Sequence, residues 1–227
     1  MFRILTSLLL ATTLGFSITP VEIARNFKKK LVSIESLQSQ FEHAYYSNSL
    51  AEPLKEKGIF TFKKPDRMRW EYTDPEKKTY VYQAGTILEY VPEENQLVRS
   101  AIEKEQAESD ILGLFLGKVE FEERYQIEES PFPSDDPSAW QIKLTPHEEG
   151  EQSYILLEIN RTSWLLQKVV LIDWAGNKQE FRFSRTRINP GLPADAFEIK
   201  VPPDCEIIDR TTPIKKKDGS DAGGGGL

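Results

Sequence analysis

The side chains that could carry out chemistry are few, and their types suggest two catalytic arrangements. Cys205 with His43 could form a thiol–imidazole dyad, and Glu71 with Asp74 could form a carboxylate pair for sugar hydrolysis. Cys205 lies between two acidic residues, which disfavour the thiolate that such a dyad needs. Asp74 precedes a proline in a predicted turn, where a carboxylate is ordinarily solvated. We therefore expect no catalytic residues and no enzymatic activity.

The composition argues against other kinds of site. One cysteine and two histidines in 227 residues allow no intramolecular disulfide and no Cys-rich metal site, and the second histidine, His147, lies in a predicted loop. The net charge is −7, whereas nucleic-acid binding needs clustered cations. The sequence also lacks the usual glycine-rich nucleotide motifs and hydrolase motifs. We expect no metal, no cofactor and no nucleic-acid partner.

Aromatic side chains are abundant instead, with 12 Phe, 8 Tyr and 4 Trp in a chain of which 29% of residues are charged. They recur at every second position of short segments, as Met68, Trp70 and Tyr72 do between charged residues. This alternation predicts strands with one apolar and one charged face. Ten or eleven such strands joined mostly by tight turns, without βαβ alternation, predict a mainly β (α+β) fold with an antiparallel meander.

The ends of the chain differ from its middle. Arg3, the apolar run that starts at Ile4, and the small-residue site Gly15-Phe16-Ser17 are typical of an export signal. We expect residues 1–19 to be a cleaved signal peptide and residues 20–213 to form one folded domain. The Lys- and Gly-rich residues 214–227 have no means of burying surface, which predicts a disordered tail.

Two helices are predicted among the strands. Thr19, Pro20 and Glu22 form a capping box with proline at the first helical position, and the apolar face that follows predicts an amphipathic helix over residues 20–35. A second helix is predicted over residues 105–117, apolar on most sides and ended by a glycine. Because it is so apolar, this helix must be covered by the rest of the molecule on more than one side.

Turn signals set several boundaries. The sequence Trp-Ala-Gly-Asn at 174–177 predicts a hairpin between two flanking strands. Residues 47–57 and 130–137 are polar and predict loops, whereas residues 196–203 predict a short terminal strand.

One stretch resembles a known family. Residues 58–72 read Gly-Ile-Phe-Thr-Phe-Lys-Lys-Pro-Asp-Arg-Met-Arg-Trp-Glu-Tyr, and a proline turn, Tyr80-Val-Tyr and Leu88-Glu-Tyr-Val-Pro follow. This pattern resembles the LolA family of periplasmic outer-membrane lipoprotein carriers. The stretch 189–203 is similar to that family's closing Phe-x-hydrophobic-x-x-Pro segment, and the signal, leading helix and mid-chain apolar helix occur in the same order. The resemblance covers about residues 20–209.

The resemblance implies an incomplete antiparallel β-barrel of about eleven strands with helices covering its open mouth. Its hydrophobic cavity would hold the acyl chains of lipoproteins. An inner-membrane ABC transporter complex would deliver these, and an outer-membrane lipoprotein receptor would accept them, with only transient contact to membrane surfaces in the periplasm. Alternation then predicts the residues that line the cavity: Phe60, Phe62, Met68, Trp70, Tyr82, Leu88, Tyr90, Phe181 and Phe183.

The resemblance also implies a lid and a latch. The lid would be the apolar mid-chain helix, with the side chains Ile111, Leu112, Leu114, Phe115 and Leu116. In the family a basic residue, usually arginine, stands before the proline of the central motif and hydrogen-bonds to the lid. Here that residue is Lys64. Its ammonium is a compact charge and lacks the planar, forked set of N–H donors that an arginine guanidinium has.

Other interpretations stay open from the sequence. The inner face could be an ordinary packed core of a structural β-domain, which predicts no lipid binding. The chain could also be a related periplasmic glycolipid-binding or lipoprotein-sensing module, or a secreted hydrolase if Cys205 or His43 proved essential.

Overall fold

The computed structural model describes residues 18–102, 111–132, 134, 136–148 and 152–211. The predicted tail at 214–227 lies outside the described residues. So do residues 1–17 of the predicted signal peptide and the beginning of the predicted second helix, at 105–110.

Twelve strands form one sheet, in the order β12-β6-β5-β4-β3-β2-β1-β11-β10-β9-β8-β7. Every neighbouring pair is antiparallel except β12, which runs parallel to β6. The strand bounds are β1 Ser36–Tyr46, β2 Leu54–Lys63, β3 Arg67–Asp74, β4 Lys78–Gln83, β5 Thr86–Val91, β6 Gln96–Ala101, β7 Tyr125–Glu129, β8 Ala139–Pro146, β9 Gln152–Asn160, β10 Leu166–Asp173, β11 Lys178–Ile188 and β12 Glu206–Arg210.

The sheet is not closed, because its two edge strands, β7 and β12, do not pair with each other within the described residues. This confirms the predicted incomplete, antiparallel-dominated barrel. The count is one strand above the predicted eleven, because β7 and the parallel edge strand β12 were not predicted and the strand predicted at 196–203 does not form.

The first helix, α1 (Pro20–Val32), begins as the sequence predicts. The Glu22 backbone N–H donates to Thr19 Oγ1 at 3.3 Å, and the Thr19 N–H donates to Glu22 Oε2 at 2.9 Å. The helix ends earlier than predicted, at Val32, because Ser33 Oγ donates to the Lys30 carbonyl at 2.7 Å and the chain then turns into β1. One face of α1 is buried, through Ile23, Ala24, Phe27 and Leu31.

Two short helices follow β6. In α2 (Ile111–Leu116) the predicted glycine end is confirmed, since Gly117 has a φ of +67° and its N–H donates to the Leu114 carbonyl at 3.1 Å. The four-residue α3 (Phe121–Arg124) was not predicted. A bidentate pair holds it to α1, with Arg25 donating to Glu122 at 2.6 and 2.7 Å.

The predicted hairpin is confirmed by β10 and β11, which are joined at 174–177 with Gly176 at a φ of +81°. The predicted loop 47–57 is shorter, because β2 already starts at Leu54 and its first residues pair with β1. Glu56 points inward from that part of β2, so these residues lack the apolar–polar alternation that predicted strands such as β3.

The predicted terminal strand at 196–203 is wrong. The two prolines that end this stretch have no N–H to donate to a ladder. Instead it crosses the outer face of β3: the Arg67 guanidinium lies 5.4 Å from the ring centroid of Phe197, and Arg69 donates to the Glu198 carbonyl at 3.0 Å. The last strand, β12, comes only after this crossing.

Candidate functional site

The concave face of the sheet carries a continuous aromatic cluster. The Trp70 ring centroid lies 4.3 Å from that of Phe60, 5.5 Å from Phe181 and 6.1 Å from Phe183, and Phe41 packs edge-on against Trp70 at 4.9 Å. Seven of the nine residues predicted to line the cavity belong to this one buried cluster, namely Phe60, Phe62, Met68, Trp70, Tyr82, Phe181 and Phe183.

The centre of the cluster is filled by a side chain from α2. The Phe115 ring lies 4.4 Å from Phe60, 5.3 Å from Phe183, 6.3 Å from Trp70 and 6.5 Å from Phe62, between centroids. Its exposed fraction is 2%. In this structure the inner face is therefore closed by the predicted lid helix, and the interior is packed.

The lid helix is described only in part. Leu114 and Phe115 are buried in the same cluster as the strands. Of the other predicted lid residues, the side chains of Ile111, Leu112 and Leu116 lie outside what the structure describes. The helix α1 also contributes Phe27 and Leu31 to the cluster.

Two predicted cavity residues lie on the other face of the sheet. Tyr82 points inward, and across the β4–β5 ladder it opposes Ile87, so Ile87 takes the inner position. Alternate residues of a strand face opposite sides of the sheet, so Leu88 and Tyr90, which are out of phase with Ile87, face outward. Their assignment to the cavity is wrong. The two-residue turn at Ala84-Gly85, with φ of 48° and 78°, sets this register.

Tyr90 instead lines a groove of about 660 Å³ on the outer face, beside Arg69, Glu71 and Lys200. That groove lies between β3–β5 and the segment that carries Phe197. Most of its lining residues are charged or polar, so it differs in chemistry from the aromatic interior.

Lys64 forms hydrogen bonds, but to a different helix from the one predicted. Its Nζ donates to the Leu31 carbonyl at 3.2 Å and also to the Val32 carbonyl, both at the C-terminal end of α1. Free carbonyls at a helix C-terminus attract a cation. The lid is nevertheless close, since a Cβ added to Gly117, just after α2, would lie 3.5 Å from Val32 Cγ2. Among the described residues Lys64 therefore bonds to α1, beside the lid, and its role as a latch stays a prediction.

A polar cluster that was not predicted as a site adjoins the aromatic interior. His43 Nδ1 lies 3.3 Å from Glu56 Oε2, and Lys78 Nζ lies 2.6 Å from Glu56 Oε1. The His43 ring stacks on Phe181 at 4.1 Å with an interplanar angle of 2°. Burial lowers the pKa of His43, and the Glu56 charge opposes that shift only in part.

Sequence reasoning missed this cluster because its members come from three strands. His43 opposes Glu56 across the β1–β2 ladder, and Lys78 opposes Tyr72 across β3–β4. The only signal in the sequence was a histidine in phase with Phe41 on an otherwise apolar strand face.

The structure does not bring the candidate catalytic groups together. Cys205 precedes β12, and five strands separate β12 from the β1 strand of His43. Glu71 is paired with Arg69 at 3.0 Å, and Asp74 with Lys57 at 3.3 Å. Across the described part of the chain, no group of three or more His, Cys, Asp or Glu side chains could hold a metal ion. None of the described helices is long and apolar enough to span a membrane.

Comparison with known proteins gives the family. The family model described as "Outer membrane lipoprotein carrier protein LolA" matches residues 32–200. An outer-membrane lipoprotein carrier protein from Dechloromonas aromatica is 24% identical over 179 residues, which cover 78% of this chain and 83% of the relative. A protein of the same description from Cupriavidus pinatubonensis is 26% identical over 151 residues, covering 66% and 69%.

A solved structure shows the same fold. An uncharacterized conserved protein from Thermus thermophilus superposes with a TM-score of 0.55 at 14% identity, covering 84% of this chain and 98% of its own. The family match extends over the whole run from β1 to β11 and includes the aromatic inner face, α2 and Lys64. The chain belongs to the LolA family of outer membrane lipoprotein carrier proteins.

Proposed function

We propose that this protein binds the acyl chains of lipoproteins on the aromatic inner face of its sheet and carries them from the inner to the outer membrane. The observation that supports this most is the insertion of Phe115 from α2 into the centre of that face. Relatives named as outer-membrane lipoprotein carrier proteins support the cargo and the route.

The proposed lining consists of residues that share the buried inner face. It contains the seven predicted residues that lie there and also Ile87, in place of the outward-facing Leu88 and Tyr90. The lid is α2, with Ile111, Leu112, Leu114, Phe115 and Leu116. In the closed state the lid and the sheet bury each other's apolar surface.

A lid that fills the cavity solves an energetic problem of carriage. Each buried methylene contributes about 0.8 kcal/mol, so a long acyl chain held in an empty pocket would leave too slowly for a shuttle. When the chain instead displaces Phe115, one set of apolar contacts replaces another, and the net affinity is the smaller difference. Release is then helped by the return of α2 to the sheet.

The short length of α2 favours this exchange. A helix of six residues has little intrinsic stability and depends on its contacts with the sheet. Gly117 provides a point at which the backbone can turn between α2 and the residues that lead to α3. We propose movement of α2 about this point, while the Arg25–Glu122 pair keeps α3 on α1.

The route requires export and two partners. We propose that residues 1–19 direct the chain to the periplasm and are removed there. An inner-membrane ABC transporter complex would load the carrier, and an outer-membrane lipoprotein receptor would accept the cargo. Contact with either membrane surface would be transient.

The test is release of a lipoprotein from inner-membrane vesicles. Vesicles that contain the cognate transporter and a triacylated lipoprotein are incubated with the purified exported protein and ATP. We expect the lipoprotein to appear in the supernatant as an equimolar complex, and not when the carrier is omitted. Failure of release with an active transporter would contradict the carrier function.

A further inference from the structure

His43 has a buried nitrogen without a hydrogen-bond partner among the described residues. This atom is Nε2, on the side of the ring away from Glu56. Buried polar atoms are nearly always hydrogen-bonded, so an orphan on the inner face of a binding protein needs an explanation. Its chemistry follows from what the other ring nitrogen does.

Glu56 determines which nitrogen carries the hydrogen. Lys78 Nζ, an obligate donor, lies 2.6 Å from Glu56 Oε1, so this carboxylate acts as a hydrogen-bond acceptor. Nδ1, at 3.3 Å, therefore carries the hydrogen and donates it to Glu56. Burial lowers the pKa of His43, which favours the neutral ring. Nε2 is thus a lone-pair acceptor, and only an N–H or O–H group can satisfy it.

The orphan nitrogen belongs to a ring that continues the lipid-binding surface. Phe181 stacks on His43 at 4.1 Å and also contacts Trp70 at 5.5 Å, and Trp70 contacts Phe115. The space that Phe115 fills is therefore joined to His43 by two aromatic rings. Beyond His43 the surface becomes ionic, at Glu56 and Lys78, which are 19% and 24% exposed.

We propose that His43 Nε2 accepts a hydrogen bond from the amide N–H at the polar end of an N-acylated lipid, whose acyl chain lies along Phe181 and Trp70. The proposal rests on the proposed function and requires that displacement of α2 gives the lipid access to this nitrogen. It specifies the substrate class, since an amide-linked acyl chain has the donor that an ester-linked chain lacks. Glu56 and Lys78 act as positioning residues that hold the ring in this tautomer.

The experiment compares two probes that differ at a single amide nitrogen. N-palmitoylglycine methyl ester carries the amide N–H, and N-palmitoylsarcosine methyl ester carries N–CH₃ at the same place. Binding to the purified protein is measured by calorimetry below the aggregation concentration of the probes. We expect the N–H probe to bind about fivefold more tightly, as one neutral hydrogen bond would give.

A variant assigns the preference to His43. His43→Phe keeps the stack on Phe181 and removes the acceptor, so its affinities for the two probes should become equal. The matched control is His147→Phe at an exposed histidine, which should keep the wild-type preference. The comparison of the two probes on the wild-type protein stays informative even if His43→Phe does not fold.

Other outcomes are distinguishable. Equal binding of both probes by the wild type would overturn the His43 assignment and leave the carrier function intact, because both acyl probes would still bind. No binding of either probe would count against the proposed function itself. A third probe, 1-palmitoylglycerol, offers hydroxyl donors. If His43→Phe weakens its binding as much as that of the N–H probe, the donor is not specifically an amide and the proposed substrate class is wrong.

Discussion

Lys64 illustrates how a single side chain can act on a lid that it does not touch. Its ammonium satisfies the Leu31 and Val32 carbonyls at the end of α1, and Gly117 packs against the same Val32. Lys64 thereby fixes the surface on which α2 ends. The role expected from the family resemblance is a direct bond to the lid, and the structure replaces it with an indirect one.

Lys64→Met tests this role. The substitution keeps the aliphatic stem and removes the donor, so we expect the free energy of unfolding to fall by about 1 kcal/mol. Lys64→Arg keeps a cationic donor and should retain most of the wild-type stability. Urea unfolding measures the loss. Lys63→Met, at the exposed neighbouring lysine, is the control and should stay within about 0.5 kcal/mol of the wild type. An equal loss in both variants would contradict the capping role.

At the scale of elements, α2 couples folding stability to lipid binding. In the closed state Phe115 contacts four aromatic rings, and a bound acyl chain would have to replace these contacts with its own. Whatever weakens the closed state should therefore strengthen binding, since the two compete for one surface.

Phe115→Ala should show this opposition. Removal of the ring leaves a cavity on the inner face, and we expect about 3–4 kcal/mol less stability toward unfolding together with tighter binding of a fluorescent fatty-acid probe. Thermal unfolding and probe titration measure the two effects. Phe132→Ala removes an exposed phenylalanine and should change neither quantity. Lower stability with weaker binding would argue that Phe115 is core only.

Elements with a strong local signal were predictable, and those set by distant contacts were not. The capping box of α1 and the glycine end of α2 are determined by residues that are close together in the sequence. Strand β3 was predicted from its alternation alone. Leu88 and Tyr90 were misplaced because a turn of two residues decides which phase of β5 faces inward.

The site was predictable to the same degree. The aromatic lining follows from alternation, whereas the His43–Glu56–Lys78 cluster depends on pairing across strands. The segment around Phe197 has a strand-like composition but lies across β3, because its partners are the side chains Arg67 and Arg69. No pattern within a short window shows such a contact.

For the whole molecule, the C-terminal strand has a protective function. β12 pairs with β6 over Glu206–Arg210, and most of its residues are exposed, so it adds little buried surface. It covers the backbone N–H and C=O groups along the β6 edge and replaces that edge with its own, which is short and carries Glu206, Asp209 and Arg210. A short, charged edge is a poor template for another chain.

Truncation after Pro203 should therefore produce self-association more than unfolding. We expect the truncated protein to keep its circular dichroism spectrum and to form dimers or larger species in sedimentation velocity at micromolar concentration. A chain that ends after Thr211 retains β12 and should stay monomeric. A truncated protein that is monomeric under the same conditions would show that β12 does not protect the edge.

The sheet order has a consequence for the timing of folding. The meander β1–β6 is contiguous in the chain, yet its β1 edge pairs with β11, as in Leu37 opposite Ile188, and its β6 edge pairs with β12. The two partner strands, β11 and β12, are the last strands to be synthesised. Until then the growing chain has two uncovered edges and an uncovered aromatic face, so folding cannot be completed until nearly all of it has been synthesised. Such a delay leaves the chain incompletely folded for the membrane crossing proposed for it.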